Sequence, residues 1–365
     1  MDIDLIAVLK SMVESEASDA HFKVGRKPLF RIKKHLEEAA FPILTEKDLE
    51  KIAYFMMKER HRREFERTNE MDFSYQLPDI GRFRVNVFRQ RGDIGIVMRI
   101  VKNKIPNFEQ LHLPEIFKKL SIYERGIVLV TGASSMGKST TLAAMIDYIN
   151  QNKKSHIVTI EDPIEYLHED KLSVINQREV GLDTESFHQA FRYIIRQDPD
   201  VILIGEMRDA ETFQTALSAS ETGHLVFSTL HASYATQAIY RILDFFPPSQ
   251  HDLIRMQLSF NLRAVVCQRL MPRADGSGVI PAVEVLIINP TVMKLIRENK
   301  EERLQKAMRM FQEEGMKDFN QSLVELVKSN MITVETAFSN STNPEALEMN
   351  IKGIYLDEDS RILGE

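Results

Sequence analysis

The chain has few of the features that mark secreted, membrane or nucleic-acid-binding proteins. Its 365 residues include one cysteine, Cys267, so neither an internal disulfide nor a cysteine-based zinc site can form. No apolar run reaches the roughly 18 residues of a membrane span. The acidic opening segment, Met1–Asp4, lacks the positive start of a signal peptide. A net charge of −6 disfavours non-specific nucleic-acid binding as the main activity.

These absences predict a cytoplasmic protein with no membrane insertion and no nucleic-acid partner. They also predict that Cys267 is a small core residue. The 43% hydrophobic and 27% charged residues are typical of a soluble globular protein. The chain length favours two or three domains.

The hydrophobic pattern divides the chain into two regions. Residues 1–100 predict a small α+β unit, with helices over 5–13 and 46–57 and strands over 20–24, 29–32, 71–76, 82–89 and 94–100. Thr45 and Asp48 predict a capping box at the start of the second helix. From about residue 120, strands alternate with helices, which favours a largely parallel α/β sheet. Its predicted strands cover 127–131, 157–160, 174–176, 201–204 and 225–228. Beyond Pro248 we expect mainly helices, with one late strand over 279–286.

A glycine-rich loop lies between a predicted strand, 126–130, and a predicted helix that starts near Thr140. Strand, glycine loop and helix in this order are typical of a P-loop that binds nucleotide phosphates. Backbone N–H groups of the loop and the helix N-terminus can bind phosphate oxygens. Lys138 can reach the β- and γ-phosphates of ATP, and Ser139 can ligate Mg²⁺. The predicted nucleotide-binding residues are Gly132, Ala133, Ser134, Ser135, Met136, Gly137, Lys138, Ser139 and Thr140.

Two acids follow predicted apolar strands. The strand over 201–204 leads to Glu206, which we interpret as the general base that polarises the attacking water. The alternative is a surface acid after a buried strand. The strand over 157–160 leads to Glu161, whose carboxylate can hold Mg²⁺ directly or through water. The alternative there is a loop of solvated acids.

Two histidines, His224 and His231, stand on either side of another apolar strand. Their spacing is weak support for a zinc site. A hydrogen bond to phosphate or to an acid is the better functional interpretation, and a purely structural role is the alternative.

Residues 82–87 alternate strictly, with Phe83, Val85 and Val87 on one face of a predicted strand and Arg82, Arg84 and Asn86 on the other. Arg89 and Arg91 follow at the end of that strand. One interpretation is a solvated edge strand whose charges prevent aggregation. A second is a set of arginine fingers that reach a neighbour's phosphates. Nucleic-acid binding is the third, and the net charge does not favour it.

Taken together, these motifs resemble the secretion and type IV pilus ATPase family, and within it the PilT/PilU retraction branch. The loop over 132–140 resembles the family's Walker A motif, and 198–209 its Walker B segment. Residues 159–168 resemble its Asp box, 222–231 its His box, and 82–92 the arginine-rich strand of its N-terminal domain. The motifs occur in family order, and the similarity covers nearly the whole chain.

The resemblance implies a PAS-like α+β domain over 1–100, a linker over 101–115 and a RecA-like P-loop ATPase domain with C-terminal helices over 116–350. A frayed tail is expected over 351–365. It also implies a homohexamer that uses ATP and Mg²⁺ in the cytoplasm, peripheral to the inner membrane at the pilus base. An inner-membrane platform protein and a sister pilus ATPase are the implied partners. The implied catalytic residues are Glu206, Glu161, Arg84, Arg99 and His231, with Ser139 and Glu161 at the metal.

The chain departs from the family pattern in two places. The family loop usually reads Gly-Pro-Thr-Gly-Ser-Gly-Lys, whereas residues 133–136 here are Ala-Ser-Ser-Met. Ser135 therefore needs a backbone shape that suits glycine, which is expected to affect turnover. The segment over 291–298 keeps only the second half of the family's retraction motif, which fits an accessory PilU-like motor as well as PilT. Rival interpretations are a secretion or DNA-uptake motor of the same family, and a regulator that binds ATP but barely hydrolyses it.

Overall fold

The computed structural model describes residues 4–33, 35–102 and 104–354. This chain divides into two compact units, Met1–Lys104 with Ile164–Leu167, and Ile105–Pro163 with His168–Glu365. Each unit has its own sheet. In the described residues no helix is long and apolar enough to cross a membrane. The predicted domain boundaries and linker stay predictions, and residues 355–365 of the predicted tail lie outside the described residues.

The first unit contains a six-stranded antiparallel sheet in the order β3-β2-β1-β6-β5-β4. Its core consists of apolar side chains from the strands and from three helices, among them Leu9, Leu49 and Phe83. The predicted capping box is present, because Thr45 and Asp48 exchange side-chain and backbone hydrogen bonds at the start of α2. The elements are α1 (Leu5–Glu14), β1 (Asp19–Phe22), β2 (Leu29–Ile32), β3 (His35–Glu38), α2 (Glu46–Met56), α3 (Glu59–Thr68), β4 (Glu70–Leu77), β5 (Gly81–Gln90) and β6 (Asp93–Ile100).

Two features of this sheet differ from the sequence-based expectation. The arginine-rich strand β5 lies between β4 and β6, so the edge-strand interpretation is wrong and β4 is the edge. Strand β3 was not predicted. All four of its residues are exposed, so it lacks the apolar alternation by which strands are recognised.

The second unit contains a seven-stranded sheet in the order β13-β12-β7-β11-β10-β8-β9. All neighbouring pairs are parallel except β12 and β13, which confirms the largely parallel α/β prediction. The strands are β7 (Gly126–Thr131), β8 (His156–Glu161), β9 (Val174–Glu179), β10 (Val201–Ile204), β11 (Leu225–Leu230), β12 (Leu262–Pro272) and β13 (Val279–Ile287). Every residue of β7, β10 and β11 is buried, as expected for central parallel strands.

Helices connect the parallel strands and continue after β13. They are α4 (Ile116–Ser121), α5 (Lys138–Asn152), α6 (Phe187–Ile194), α7 (Ala210–Glu221), α8 (Ala235–Leu243), α9 (His251–Asn261), α10 (Pro290–Arg297), α11 (Leu304–Met310), α12 (Phe319–Lys328), α13 (Val334–Asn340) and α14 (Pro344–Ile351). The last three pack with Cys267, Met271 and Ile280 in a separate apolar cluster. Cys267 is thus a buried core residue, as predicted, and burial raises its pKa to about 11.

The expectation of mainly helices after Pro248 is wrong for residues 262–272, which form the 11-residue strand β12. Helix α9 ends at Asn261 and β12 begins at the next residue. No glycine or proline separates the two elements, so the sequence carries no boundary signal there.

Candidate nucleotide-binding site

The predicted acids, the P-loop and His231 meet at one edge of the seven-stranded sheet. Strands β7, β11, β10 and β8 are adjacent and parallel, so their carboxyl ends lie at the same edge. Glu161 is the last residue of β8, while Glu206 lies two residues beyond β10 and His231 one beyond β11. Such an edge is where open α/β sheets bind ligands.

The loop between β7 and α5 has the backbone shape of a phosphate-binding loop. Gly132 and Gly137 have φ values of +147° and +79°, which only glycine adopts at low cost. At Gly132 a Cβ atom would lie 2.5 Å from the carbonyl oxygen of Gln268, so a side chain cannot be accommodated. Ser135 has a φ of +63°, which fits the expectation that this position needs a glycine-like backbone.

Lys138 begins α5, and its ammonium is held over the loop. Its Nζ donates to the carbonyl oxygens of Gly132, at 2.8 Å, and Ala133, at 3.0 Å. Burial lowers the pKa of Lys138, and the charge of Glu206 partly opposes this shift. Because both acceptors are neutral carbonyls, a phosphate group is a stronger partner for this ammonium.

Gln268 of β12, a side chain that was not predicted to belong to the site, fixes the loop and is 2% exposed. Its Nε2 donates to the carbonyl of Met136 at 2.8 Å, and its Oε1 accepts from the hydroxyl of Thr141 at 2.8 Å. One amide therefore ties the end of the loop to the first turn of α5. The signal in the sequence is a polar residue inside an apolar run, because a buried amide needs partners.

Glu206 is held by two donors. Its Oε1 lies 3.1 Å from Nε2 of His231, and its Oε2 accepts from Arg208 at 2.7 Å. The hydrogen bond to Glu206 raises the pKa of Arg208. The carboxylate side chain is 19% exposed, whereas that of His231 is 49% exposed. Glu206 is thus oriented yet reachable by solvent, as a general base requires.

Glu161 is oriented in a similar way. Its Oε1 accepts from the hydroxyl of Thr159 at 2.7 Å and from the amide of Gln177 at 3.0 Å. The backbone of Gly205 donates to the carbonyl of Ile160 at 2.8 Å, which fixes the ends of β8 and β10 side by side. The two predicted acids therefore occupy neighbouring strand ends.

The donor chemistry of this edge fits Mg²⁺. Ser139 lies exposed in the first turn of α5 and offers a hydroxyl oxygen, and Glu161 offers a carboxylate. Mg²⁺ in nucleotide sites takes one or two protein oxygens with phosphate oxygens and water, so these two residues suffice. In the part of the chain that is described, no group of three or more His, Cys, Asp or Glu could form an all-protein metal site.

The two histidines have different environments. Nδ1 of His224 lies 2.9 Å from the carbonyl of Ala219 and 3.1 Å from the hydroxyl of Thr222, at the end of α7. His224 therefore has a structural role at a helix C-terminus. His231 alone contacts a predicted catalytic residue, the acid Glu206.

Arg84 and Arg99 lie in the first unit, where they face each other on β5 and β6. Nε of Arg99 donates to Asp19 at 2.7 Å. Arg84 has no ion pair within the described residues, and its side chain is exposed. The Asp19 carboxyl is 5% exposed, and it also lies 3.8 Å from Arg31. Burial raises the pKa of Asp19, but hydrogen bonds from Ser18 and Arg99 and the charge of Arg99 lower it below its usual value overall.

Comparison with known proteins assigns the chain to a family. A family model described as Type II/IV secretion system protein matches residues 2–325. The chain belongs to this family. It is 42% identical over 345 residues to the type IV pilus ATPase PilU of Pseudomonas aeruginosa, which covers 94% of this chain and 90% of that protein. It is 41% identical over 343 residues to the type IV pilus retraction ATPase PilT of the same organism, covering 94% and 99%.

Solved structures agree with the family assignment. A crystal structure of the pilus retraction motor PilT with bound ADP matches with a TM-score of 0.89 at 46% identity, and covers 95% of this chain and 99% of that one. The ATPase DotB of Legionella pneumophila matches with a TM-score of 0.79 at 24% identity, which supports the shared fold. The sequence-based recognition of the PilT/PilU type of this family is thereby confirmed.

Proposed function

We propose that this chain is a hexameric cytoplasmic motor that couples ATP hydrolysis to retraction of a type IV pilus. It is an ATPase of the secretion family, whose relatives at 41–42% identity are named pilus ATPases. The observation that carries the chemistry is the Glu206 carboxylate, held between His231 and Arg208 just beyond the end of β10, at the edge of the sheet where β7 leads into the P-loop. Retraction is supported by two relatives, which are named a pilus retraction ATPase and a pilus retraction motor.

In the proposed reaction, the loop over 132–140 binds the phosphates of ATP and Lys138 neutralises their charge. Glu206 accepts the proton of the attacking water, and His231 orients the carboxylate. Ser139 and Glu161 would hold Mg²⁺, which would supply neutralisation of the phosphate charge. Arg84 and Arg99 stabilise the developing charge, as arginine fingers do.

Several parts of the proposal rest on resemblance. These are the PAS-like nature of the first unit, the RecA-like nature of the second and the closed ring of six protomers. The platform partner, the sister ATPase and the position at the pilus base have the same support. The segment aligned with the retraction motif forms α10, in which Val292 and Ile296 are fully buried. Because this segment keeps only the second half of the retraction motif, an accessory PilU-like role is retained beside a PilT-like role.

A second function is favoured by one specific observation. Ser135 adopts a φ of +63° in the P-loop, a conformation that costs a non-glycine residue roughly 1–2 kcal/mol. A strained loop suits a subunit that binds ATP and hydrolyses it slowly. Such a chain would act as a regulator of a faster sister motor.

Phosphate release separates these functions. The purified full chain with Mg·ATP is expected to release phosphate at a steady rate, and Lys138→Ala is expected to abolish the release while the thermal melting curve is retained. Release by wild type at the Lys138→Ala level, with nucleotide still bound, would favour the regulator. Near-normal release by a folded Lys138→Ala protein would contradict the P-loop assignment.

Mass in solution tests the ring. With a non-hydrolysable Mg·ATP analogue, light scattering is expected to give six times the 42.1 kDa of one chain. A strict monomer at tens of micromolar protein, a rough concentration suited to contacts of μM affinity, would contradict the motor assignment.

A further inference from the structure

The segment that carries His231 into the site is short and exposed. His231 follows β11 directly, and three residues, 232–234, separate it from Ala235, where α8 begins. Within the described residues, the ring of His231 has one hydrogen-bond partner, the Glu206 carboxylate. Its position therefore depends on how the backbone over 232–235 is held.

Helix α8 lacks a cap of its own. Its N-cap residue is Tyr234, whose side chain makes no capping hydrogen bond. Instead, Glu284 of β13 accepts the backbone N–H of Ala235 at 2.5 Å. A carboxylate at this position satisfies a backbone donor of the first turn and interacts favourably with the helix dipole. Glu284 is 3% exposed, so this is a remote, buried cap.

Strand β12 holds the rest of the segment. Arg269 donates from Nη2 to the carbonyl of Ser233 at 3.0 Å, and its guanidinium lies 4.8 Å from the ring centroid of Tyr234. The thiol of Cys267 donates to the carbonyl of Ala232 at 3.5 Å. Every residue between His231 and α8 is thus contacted from β12, and α8 itself from β13.

The same side chains contact the C-terminal helices. The guanidinium of Arg269 lies 4.1 Å from the ring centroid of Phe319 in α12, and its Nη1 donates to the carbonyl of Asn340 at the end of α13. Burial is the main cause that raises the pKa of Glu284 to about 7, with the Ala235 N–H and Arg269 partly opposing the shift and the charge of Asp318 adding to it. Within the described residues, Glu284 makes no hydrogen bond to the P-loop.

We propose that Glu284, with Arg269, is a positioning residue for ATP hydrolysis that holds the 232–235 segment so that His231 stays on Glu206. The proposal rests on the role proposed above for His231. It does not place Glu284 on the nucleotide. Loss of Glu284 should therefore slow the chemical step and leave nucleotide affinity unchanged.

A double-mutant cycle with His231 tests this mechanism in the full chain. Glu284→Ala is expected to lower kcat about tenfold with the Kd for Mg·ATP within about twofold of wild type. His231→Ala together with Glu284→Ala is expected to be no slower than His231→Ala alone, because residues that act through one another are not additive. Glu284→Gln, whose amide oxygen still accepts from Ala235, is expected to restore kcat to within about threefold of wild type.

A matched control is Glu301→Ala, which removes another fully buried acid from the same unit, one paired with Arg255. Glu301→Ala is expected to lower the melting temperature, and any effect it has on kcat is expected to multiply with that of His231→Ala in the double variant. If Glu284→Ala does not fold, Arg269→Met takes its place in the cycle. Arg269 is half-buried, and this substitution removes its hydrogen bond to the Ser233 carbonyl.

The outcomes separate the two proposals. If His231→Ala is slow, two results overturn the positioning role of Glu284 but not the role of His231. One is a multiplicative loss of kcat in the double variant, and the other is a normal kcat in Glu284→Ala. Wild-type hydrolysis by His231→Ala overturns the role of His231 itself, and with it any action of Glu284 through that residue.

Discussion

The two sheets hold their charged functional side chains in opposite ways. In the seven-stranded sheet, Glu206 and Glu161 each accept two hydrogen bonds from neighbouring side chains. In the six-stranded sheet, Arg84 lies directly opposite Arg99, and of these two arginines only Arg99 has a carboxylate partner among the described residues. Glu206 and Glu161 thus have hydrogen-bond partners within their own unit, whereas Arg84 faces the like charge of Arg99.

This difference suggests two kinds of site. Side chains with fixed partners are oriented before substrate binds, so little reorganisation is needed in the reaction. Like charges directly opposite on neighbouring strands are destabilising. We therefore expect Arg84 to bind an anion at another stage of the reaction. The following tests weaken one side of this comparison at a time.

The largest effect is expected at Glu206. Glu206→Gln keeps the shape and one acceptor oxygen but cannot take a proton from water. Hydrolysis is expected to fall by about 10²–10⁴, while Mg·ATP binding survives. Phosphate release and filter binding measure the two quantities. Turnover within threefold of wild type would place the general base elsewhere.

Arg84→Ala should separate activity from stability. If Arg84 contacts phosphate in the ring, hydrolysis is expected to fall by at least about tenfold. The free energy of unfolding is expected to stay the same or rise by up to about 0.5 kcal/mol, because repulsion from Arg99 is removed. The rate of hydrolysis tests the first expectation, and urea titration, which gives the free energy of unfolding, tests the second. Normal hydrolysis would support the interpretation of a solvated face.

Gln268→Ala should loosen the P-loop. The change leaves the buried Thr141 hydroxyl and the Met136 carbonyl without their partner, which costs about 1–3 kcal/mol. We expect a weaker Kd for ATP and a lower melting temperature. Gln312→Ala, at an exposed glutamine, is the control and should change neither. Unchanged ATP affinity in a folded Gln268→Ala protein would contradict the bracing role.

Arg99→Ala should cost stability where Arg84→Ala does not. It leaves the buried Asp19 carboxylate with Arg31 at 3.8 Å, and we expect a loss of about 1 kcal/mol, modest because Arg99 is largely exposed. The folded-state pKa of Asp19 is depressed, so its contribution is present above the unfolded pKa of about 4 and is lost as pH falls below it. The difference in unfolding free energy between wild type and Arg99→Ala should therefore become smaller as the pH falls from neutral to about pH 3. A difference that grows on acidification would be inconsistent with an ion pair between Arg99 and Asp19.

The smallest effect is expected at two neighbouring serines. Ser135→Gly removes the cost of a φ of +63°, and we expect a gain of up to about 1 kcal/mol in unfolding free energy. Ser134 does not have a positive φ, so Ser134→Gly should instead cost about 0.5–1 kcal/mol. Denaturant titration of both variants provides the comparison. Changes of the same sign would contradict the strain assigned to Ser135.

Local features were predictable from the sequence. Strand β7, the loop and α5 follow one another along the chain, so spacing alone defines them. The capping box at Thr45 and the acids at the strand ends were predicted for the same reason. The alternation of β5 correctly placed Phe83, Val85 and Val87 on the buried face and Arg82 and Arg84 on the other.

Features that depend on sheet pairing were not predictable. Gln268 lies 132 residues from Met136 in the loop that it braces, and Glu284 lies 49 residues from Ala235. Each appears in the sequence only as a polar residue within an apolar run, which indicates a buried partner but not its identity. The register of β5 against β6, which sets Arg84 opposite Arg99, is likewise absent from either strand's pattern.

The contact between Met136 and β12 gives the loop an accessible reporter. The backbone N–H of Leu270 lies beyond the end of β7 and donates to the sulfur of Met136 at 3.4 Å. A thioether is a weak acceptor, so this amide should exchange with solvent deuterium faster than amides bonded to carbonyls. A nucleotide that holds the loop still should slow this exchange. The labelling rate of a single amide on the far side of the loop would then record occupancy of the site.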